Sequence, residues 1–184
     1  MKISRSLLAI CLIVATTLGG ASLSRVSAQD QPTMTDQQIE LIRSNCVTAK
    51  NTLNQLHASD ALLRVNMGQI YESMSTKLMD GFNGRVSNNH FNNSNLVSAM
   101  NTYNSTLDVF RADYITYEVQ LSAALNVNCL NQPVSFYDSV ASARTLRNKV
   151  HLDIVKLNQS MDQYQSAVTT FETDYAAATN GVSL

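Results

Sequence analysis

Prolines and glycines are scarce in this sequence, with two prolines and six glycines among 184 residues. Both prolines stand at boundaries between segments, and turn-rich stretches of the kind that connect short strands are missing. This scarcity argues against a sheet-rich protein and leaves long helices as the expected elements. It also excludes two glycine-dependent sites, the phosphate-binding loop and the glycine-framed nucleophilic serine.

Residues that carry catalysis or bind metals are equally few. The three histidines, His57, His90 and His151, include no pair spaced four apart, and the patterns Glu-x-x-His and Cys-x-x-Cys-His are both missing. These absences argue against a di-iron site and against covalently attached haem. We therefore expect no cofactor, no metal and no enzymatic activity.

The N-terminus has the three-part layout of a secretory signal peptide. Lys2 and Arg5 come first, the apolar run SLLAICLIVATTL follows, and the segment ends in the sequence VSA. We expect residues 1–28 to be the signal peptide, with cleavage before Gln29 and a short flexible lead over 29–34. The apolar run is short for a bilayer span of about 20 residues. Export to the periplasm, cell surface or medium is expected, and an uncleaved N-terminal membrane anchor is the alternative.

Export changes both the charge and the cysteine count. Removing the signal peptide leaves ten Lys and Arg against fourteen Asp and Glu, a formal charge of −4, which does not fit a nucleic-acid partner. Two cysteines remain, Cys46 and Cys129, in a compartment where disulfides persist. We expect them to form a disulfide that closes a loop of about 83 residues and stabilises the fold by up to roughly 4 kcal/mol. The alternative is two buried free thiols.

Apolar residues recur at alternating steps of three and four along three segments, the heptad pattern of coiled-coil helices. Each segment keeps one phase, and the pattern predicts helices over about 36–83, 94–126 and 134–179. The predicted stripes are Ile39, Ile42, Cys46, Ala49, Leu53, Leu56, Asp60, Leu63, Met67, Ile70 and Met74 in the first helix; Leu96, Met100, Tyr103, Leu107, Phe110, Tyr114, Tyr117, Leu121 and Ala124 in the second; and Phe136, Val140, Ala143, Arg147, Val150, Ile154, Leu157, Met161, Tyr164, Val168, Phe171, Tyr175 and Ala178 in the third.

Residues that favour helix ends mark the boundaries. Thr35 and Gln38 form a capping-box pattern at the start of the first helix, and Gly81 and Gly84 predict its end. Pro133 fits the first turn of a helix but not its interior, so we expect the third helix to begin there or just after it.

The short connections between these helices predict one all-α domain over 35–180, an elongated up-down-up three-helix coiled-coil bundle. The stripes are narrow and flanked by polar residues, which favours a slender rod over a compact globule. We also expect the three stripes to fill the interior and to leave no cavity. A break near 57–60, where Ser59 or Asp60 could cap a new helix, would give a four-helix bundle instead.

Two charged residues, Asp60 and Arg147, occupy stripe positions where apolar side chains belong. If the cysteines set the register, an offset of about 87 residues brings Asp60 level with Arg147, and Tyr114 and Tyr117 reach about the same height. We predict a buried polar layer of Asp60, Arg147 and one or both tyrosines, which would fix the register of the helices. The alternative is a site that binds a small anion or a partner.

Two stretches, NCLNQPVSFYDSVASARTLRNKV (128–150) and LMDGFNGRV (78–86), resemble small uncharacterised exported helical proteins of candidate-phylum (Saccharibacteria-like) bacteria. They cover under a quarter of the chain that follows the signal peptide. The resemblance implies bacterial export and attaches no activity.

The sequence predicts a non-catalytic exported helical module that serves as a structural element or in protein interaction at the cell envelope. We expect an unidentified protein partner there, no nucleic acid, and no membrane contact beyond the signal segment. Self-association is a further expectation, through apolar residues that flank the stripes: Tyr71, Leu78, Val97 and Leu125.

The alternative function is the binding of a small ligand, such as haem or an apolar molecule, inside the bundle. Its basis is a set of methionines in the stripes, because a flexible thioether side chain adapts to a ligand as well as to a gap in a core. These residues are Met67, Met74, Met100 and Met161.

Overall fold

A computed structural model describes residues 34–180, which form helices and no strand, so the predicted all-α fold is confirmed. Within this range, no helix combines the length and the apolar character that crossing a membrane requires. The predicted signal peptide over 1–28 and nearly all of the lead after it lie outside the described residues. The helices are α1 (Asp36–Ser44), α2 (Cys46–Ser73), α3 (Asp80–Asn88), α4 (Ser94–Asn126) and α5 (Pro133–Asn180), and a π-helical turn (Met74–Met79) joins α2 to α3.

The sequence signals at helix starts have physical counterparts in the structure. The capping box predicted before α1 is confirmed: the Gln38 amide donates to the Thr35 hydroxyl (3.3 Å) and the Thr35 amide donates to Gln38 Oε1 (2.9 Å). Helix α5 begins at Pro133, whose missing N–H costs nothing in the first turn.

The first predicted helix is not one regular helix over 36–83. Asn45 leaves the helical conformation between α1 and α2, although helical hydrogen bonds continue on both sides of it. Farther along, the π turn interrupts the α-helix, and α3 then runs through both glycines to Asn88. The alternative break at 57–60 is absent, because α2 passes through it. A bundle of three helices is therefore not confirmed, and a count of four is compatible with the described chain.

The stripe of the first segment also loses its predicted phase. Leu63 and Ile70, both predicted to be in the core, are 57% and 51% exposed, whereas Tyr71 is 4% and Met79 3% exposed. A seven-residue repeat drifts around a straight α-helix, and the wider π turn adds further rotation. The buried face consequently moves to residues spaced four apart: Met67 (partly buried), Tyr71, Ser75, Met79 and Asn83.

The core lies mainly between α4 and α5, which pack together along most of their lengths. Every predicted stripe residue of α4 is buried except Met100, which is partly buried. Leu157 of α5 and Tyr103 of α4 are fully enclosed. Burying an aliphatic side chain of the size of Leu157 contributes about 1.5–3 kcal/mol.

The segment that runs from α1 through α2 and the π turn to α3 is attached at two places. At one end Cys46 and Cys129 form a disulfide with their Cα atoms 5.6 Å apart, and Arg43 Nε donates to the Leu130 carbonyl (3.2 Å). At the other end the Tyr164 hydroxyl donates to Asn83 Oδ1 (2.8 Å) and to the Met79 carbonyl at the end of the π turn (3.2 Å). Between these ends the backbones of α2 and α5 do not approach closely.

Candidate functional site

The separation of α2 from α5 leaves a cavity of about 390 Å³, with α4 as its floor. The expectation that the stripes fill the interior is therefore wrong. The cause is the phase shift described above: Leu63 no longer points fully inward, and α2 buries only Cys46 and Tyr71. Apolar and aromatic side chains make up most of the lining, among them Leu63, Met67, Tyr71, Phe110, Val150 and Ile154.

A polar cluster crosses the gap at one edge of this cavity. Arg147 of α5 donates from Nε to Asp60 Oδ2 (2.9 Å) and from Nη2 to Asp60 Oδ1 (3.2 Å). The Tyr117 hydroxyl of α4 donates to the same carboxylate, with 2.7 Å to Oδ2. The three helices are thus linked through one aspartate, at an offset of 87 residues between Asp60 and Arg147.

The members of the predicted polar layer differ in burial and in partners. The Asp60 side chain is 12% exposed and Arg147 is 51% exposed, so the guanidinium lies at the surface rather than inside. Tyr114 is buried beside the cluster, but its hydroxyl donates to Glu118 one turn farther along α4 (3.0 Å). The structure therefore brings three of the four residues into direct contact and leaves Tyr114 as a neighbour.

Burial and hydrogen bonding act on Asp60 in opposite directions. Desolvation raises the pKa of its carboxyl, but the hydrogen bonds from Arg147 and Tyr117 favour the charged form and lower the pKa below its ordinary value. For Tyr117, burial and then the hydrogen bond to Asp60 raise the pKa of the phenol. The cluster is therefore a carboxylate held by a guanidinium and a protonated phenol at neutral pH.

Two further basic side chains stand at the cavity. Arg64 of α2 places its guanidinium over the ring of Tyr114, with 5.1 Å to the ring centroid, a cation–π contact. His151 of α5 also lines the cavity and is exposed. The rim is thus polar and mainly basic, while the interior is apolar.

Of the four methionines named as candidates for ligand contact, only Met67 lines this cavity. Met74, Met100 and Met161 are partly buried and pack against the core instead. The sequence correctly places Met67 at an interior position, but the stripes alone do not show which part of the interior stays unfilled.

A pair of carboxylates, Asp113 and Asp153, lies between α4 and α5 at positions that the predicted stripes do not include. Asp153 is fully buried and accepts a hydrogen bond from Lys156 (3.1 Å), and Asp113 accepts one from Lys149 (2.8 Å). Within the described residues, the second carboxylate oxygen of each aspartate has no hydrogen-bond partner. This arrangement favours one proton shared by the pair.

The two carboxyls respond differently to their surroundings. Burial raises the pKa of Asp153, and Asp113 raises it further, while Lys156 opposes the shift. The hydrogen bond from Lys149 lowers the pKa of Asp113 against the effect of burial. Asp153 thus holds the proton more readily than Asp113.

A signal for this pair exists in the sequence, one residue away from the predicted stripe. The face of α5 that is buried at the middle of the helix follows Val150, Asp153, Leu157, Ser160 and Tyr164, which also has steps of three and four. The prediction followed the neighbouring series through Ile154 and Met161, which are partly buried. Choosing apolar residues alone hid the polar positions of the true interface.

Side chains of the types that ligate metals are dispersed over the described residues. Within 34–180, no three side chains of His, Cys, Asp or Glu cluster closely enough to hold a metal ion. His57 lies 3.5 Å from Glu118 rather than near His151. Cys46 and Cys129 are joined in the disulfide. Comparisons with protein-family models, with curated proteins and with solved structures found no match for the chain.

Proposed function

We propose that this protein binds a small, largely apolar molecule in the cavity between α2, α4 and α5. The observation that carries the proposal is a half-enclosed space of about 390 Å³ that opens between these three helices and is lined mainly by apolar and aromatic side chains. Cavities of this size accommodate a drug-sized molecule, and ligand sites are typically apolar with a few polar groups at defined positions.

The surrounding helices give the proposed site a stable frame. The α4–α5 pair forms one wall and the floor, while the disulfide end and the Tyr164–Asn83 end hold α2 in place on the other side. Because α2 is fixed at its ends and loosely packed in the middle, a ligand can gain contacts with it without displacing core side chains.

Binding of the neutral fluorescent probe N-phenyl-1-naphthylamine tests this function. We expect the purified full chain to enhance its emission saturably, and Met67→Trp to reduce probe affinity at least tenfold because the indole fills the cavity. Leu62→Trp is the matched control, since Leu62 is on the same helix, 65% exposed and not part of the lining. Equal binding by the three proteins, with unchanged circular dichroism, would contradict the proposal.

A second candidate function is a non-catalytic structural or protein-interaction module at the cell envelope, built as an elongated up-down-up rod of three helical arms. Several large apolar side chains on the α2–π segment favour it, since Leu62, Val65 and Leu78 are 65%, 51% and 60% exposed. Exposed apolar side chains mark contact surfaces where they form a contiguous patch, and Leu62 and Val65 are neighbours on one face of α2. Self-association in light scattering that Leu78→Glu abolishes would support this second function.

Export of the chain remains a proposal that rests on the N-terminal sequence and is consistent with a disulfide. N-terminal sequencing of the protein from the medium or envelope of source cells tests it, and a start at Gln29 is expected. Protein that retains its first residues and stays in the membrane fraction would instead indicate the anchored form.

A further inference from the structure

The cavity combines an apolar interior with an uneven charge at its rim. Two arginines, Arg64 and Arg147, line it together with a single carboxylate, Asp60. His151 also lines the cavity and contributes no negative charge. The rim therefore favours an anion over a cation.

The Asp60 carboxylate already accepts hydrogen bonds from neighbouring side chains. Asp60 accepts two hydrogen bonds from Arg147 and one from Tyr117. An incoming ammonium group would have to compete with both donors for the same oxygens. The Tyr114 ring, an aromatic face that could hold a cation, is already covered by Arg64.

The arginines, in contrast, retain donors. Within the described chain no carboxylate lies within ion-pair distance of Arg64. Arg147 uses Nε and Nη2 for Asp60, and its Nη1 group has no acceptor among residues 34–180. Guanidinium groups bind carboxylate, sulfonate and phosphate oxygens with strong charge-assisted hydrogen bonds.

Building on the proposed function, we propose that the ligand is an amphipathic anion, with an apolar body inside the cavity and one acidic headgroup at Arg64 and Arg147. The apolar body packs against Met67, Phe110 and Ile154. The headgroup stays at the rim, where it keeps part of its hydration, so that binding does not require burying an ion completely.

Displacement of N-phenyl-1-naphthylamine by three ligands with one common tail tests this specificity. We expect decanoate to bind about tenfold more tightly than decanol, the gain typical of charge-assisted hydrogen bonds. Decyltrimethylammonium should bind more weakly than decanol. All ligands are used below the concentrations at which they form micelles.

Arg64→Gln should lower decanoate affinity about tenfold more than decanol affinity and so remove the preference for decanoate. Arg144→Gln is the matched control, because Arg144 is an exposed arginine of α5 outside the lining, and it should retain the preference. Decanol that binds as tightly as decanoate, or Arg64→Gln without effect, would overturn the anion preference while the apolar site stands. Failure of all three ligands to displace the probe would overturn both the preference and the proposed function.

Discussion

The two sides of helix α4 show how one sequence pattern leads to two kinds of packing. Against α5, the heptad pattern forms a filled interface in which Leu157 of α5 is completely buried. Against α2, a pattern of the same kind leaves Leu63 57% exposed and a cavity of about 390 Å³. Apolar periodicity thus predicts which helices associate, but the phase over several turns decides whether their interface is filled.

The largest expected effect is the loss of stability when the disulfide near the start of α2 is removed. Replacing both cysteines, Cys46→Ser with Cys129→Ser, should lower the free energy of unfolding by roughly 4 kcal/mol, because the unfolded chain regains the freedom of a long loop. Urea denaturation measures this loss, and reduction of the unmodified protein by dithiothreitol is the control that should reproduce it. An unchanged urea midpoint would show that the disulfide does not stabilise the fold.

Matched truncations compare the two sides directly. Leu157→Ala should cost about 3 kcal/mol, because the residue is completely buried in the α4–α5 interface. Leu63→Ala should cost under about 1 kcal/mol, since more than half of its side chain already contacts solvent. Urea denaturation of the two variants gives the difference, and equal losses would mean that α2 packs as tightly as α5.

The cluster that bridges α2 and α5 should contribute to stability in a pH-dependent way. Asp60→Asn should lower stability by about 1–2 kcal/mol at pH 7, because charge-assisted hydrogen bonds from Arg147 are lost. The pKa of Asp60 is lowered in the folded state, so its contribution is complete above about pH 4 and disappears as the pH falls through that lowered value.

Stability of the Asp60→Asn variant and the unmodified protein should therefore converge in acid. Thermal unfolding followed by circular dichroism between pH 2 and 7 measures the gap. Asp108→Asn, at a carboxylate whose side chain is 73% exposed, is the control and should change stability little at any pH. A gap that widens in acid would contradict the assigned role of Asp60.

The buried aspartate of the filled interface should behave in the opposite way. The pKa of Asp153 is raised by burial and by Asp113, so its stabilising contribution is present below about pH 4 and is lost as the pH rises through the raised value. Asp153→Asn should therefore stabilise the protein by about 1 kcal/mol at pH 7, since the amide can donate to the unpartnered oxygen of Asp113.

This gain should shrink as the pH falls to 4, where the aspartate itself carries the proton. Thermal unfolding at several pH values measures it. The gain in stability could come from removing a buried charge or from adding a hydrogen bond to Asp113. Asp153→Leu separates these two effects, because it removes the charge without supplying a donor. A destabilised Asp153→Asn variant at pH 7 would show that the ionised carboxylate belongs to the native interface.

The features that the sequence could predict are those with strong local or charge signals. Pro133 marks the start of α5, Thr35 and Gln38 cap α1, and the uninterrupted stripe of α4 identifies its buried face. The contact between Asp60 and Arg147 could be anticipated because both interrupt stripes at a common offset.

The remaining features depend on three-dimensional packing. The π turn at Met74–Met79 has no mark in the sequence, and helix α3 continues through Gly81 and Gly84 because its packing outweighs their low helix propensity. Asp153 is buried at the position beside Ile154 of the predicted stripe, and a search for apolar residues alone leaves out such a polar position. The cavity arises from these same shifts, so the spacing of apolar residues does not predict it.

Native-state hydrogen–deuterium exchange of the disulfide-bonded protein tests most directly the claim that the two sides of α4 are packed differently. Amides over 107–121 and 143–157 should exchange only on global unfolding, and those over 57–70 should exchange at least about tenfold faster through local opening. Equal protection of α2 and the α4–α5 pair, in the absence of any added ligand, would contradict the claim.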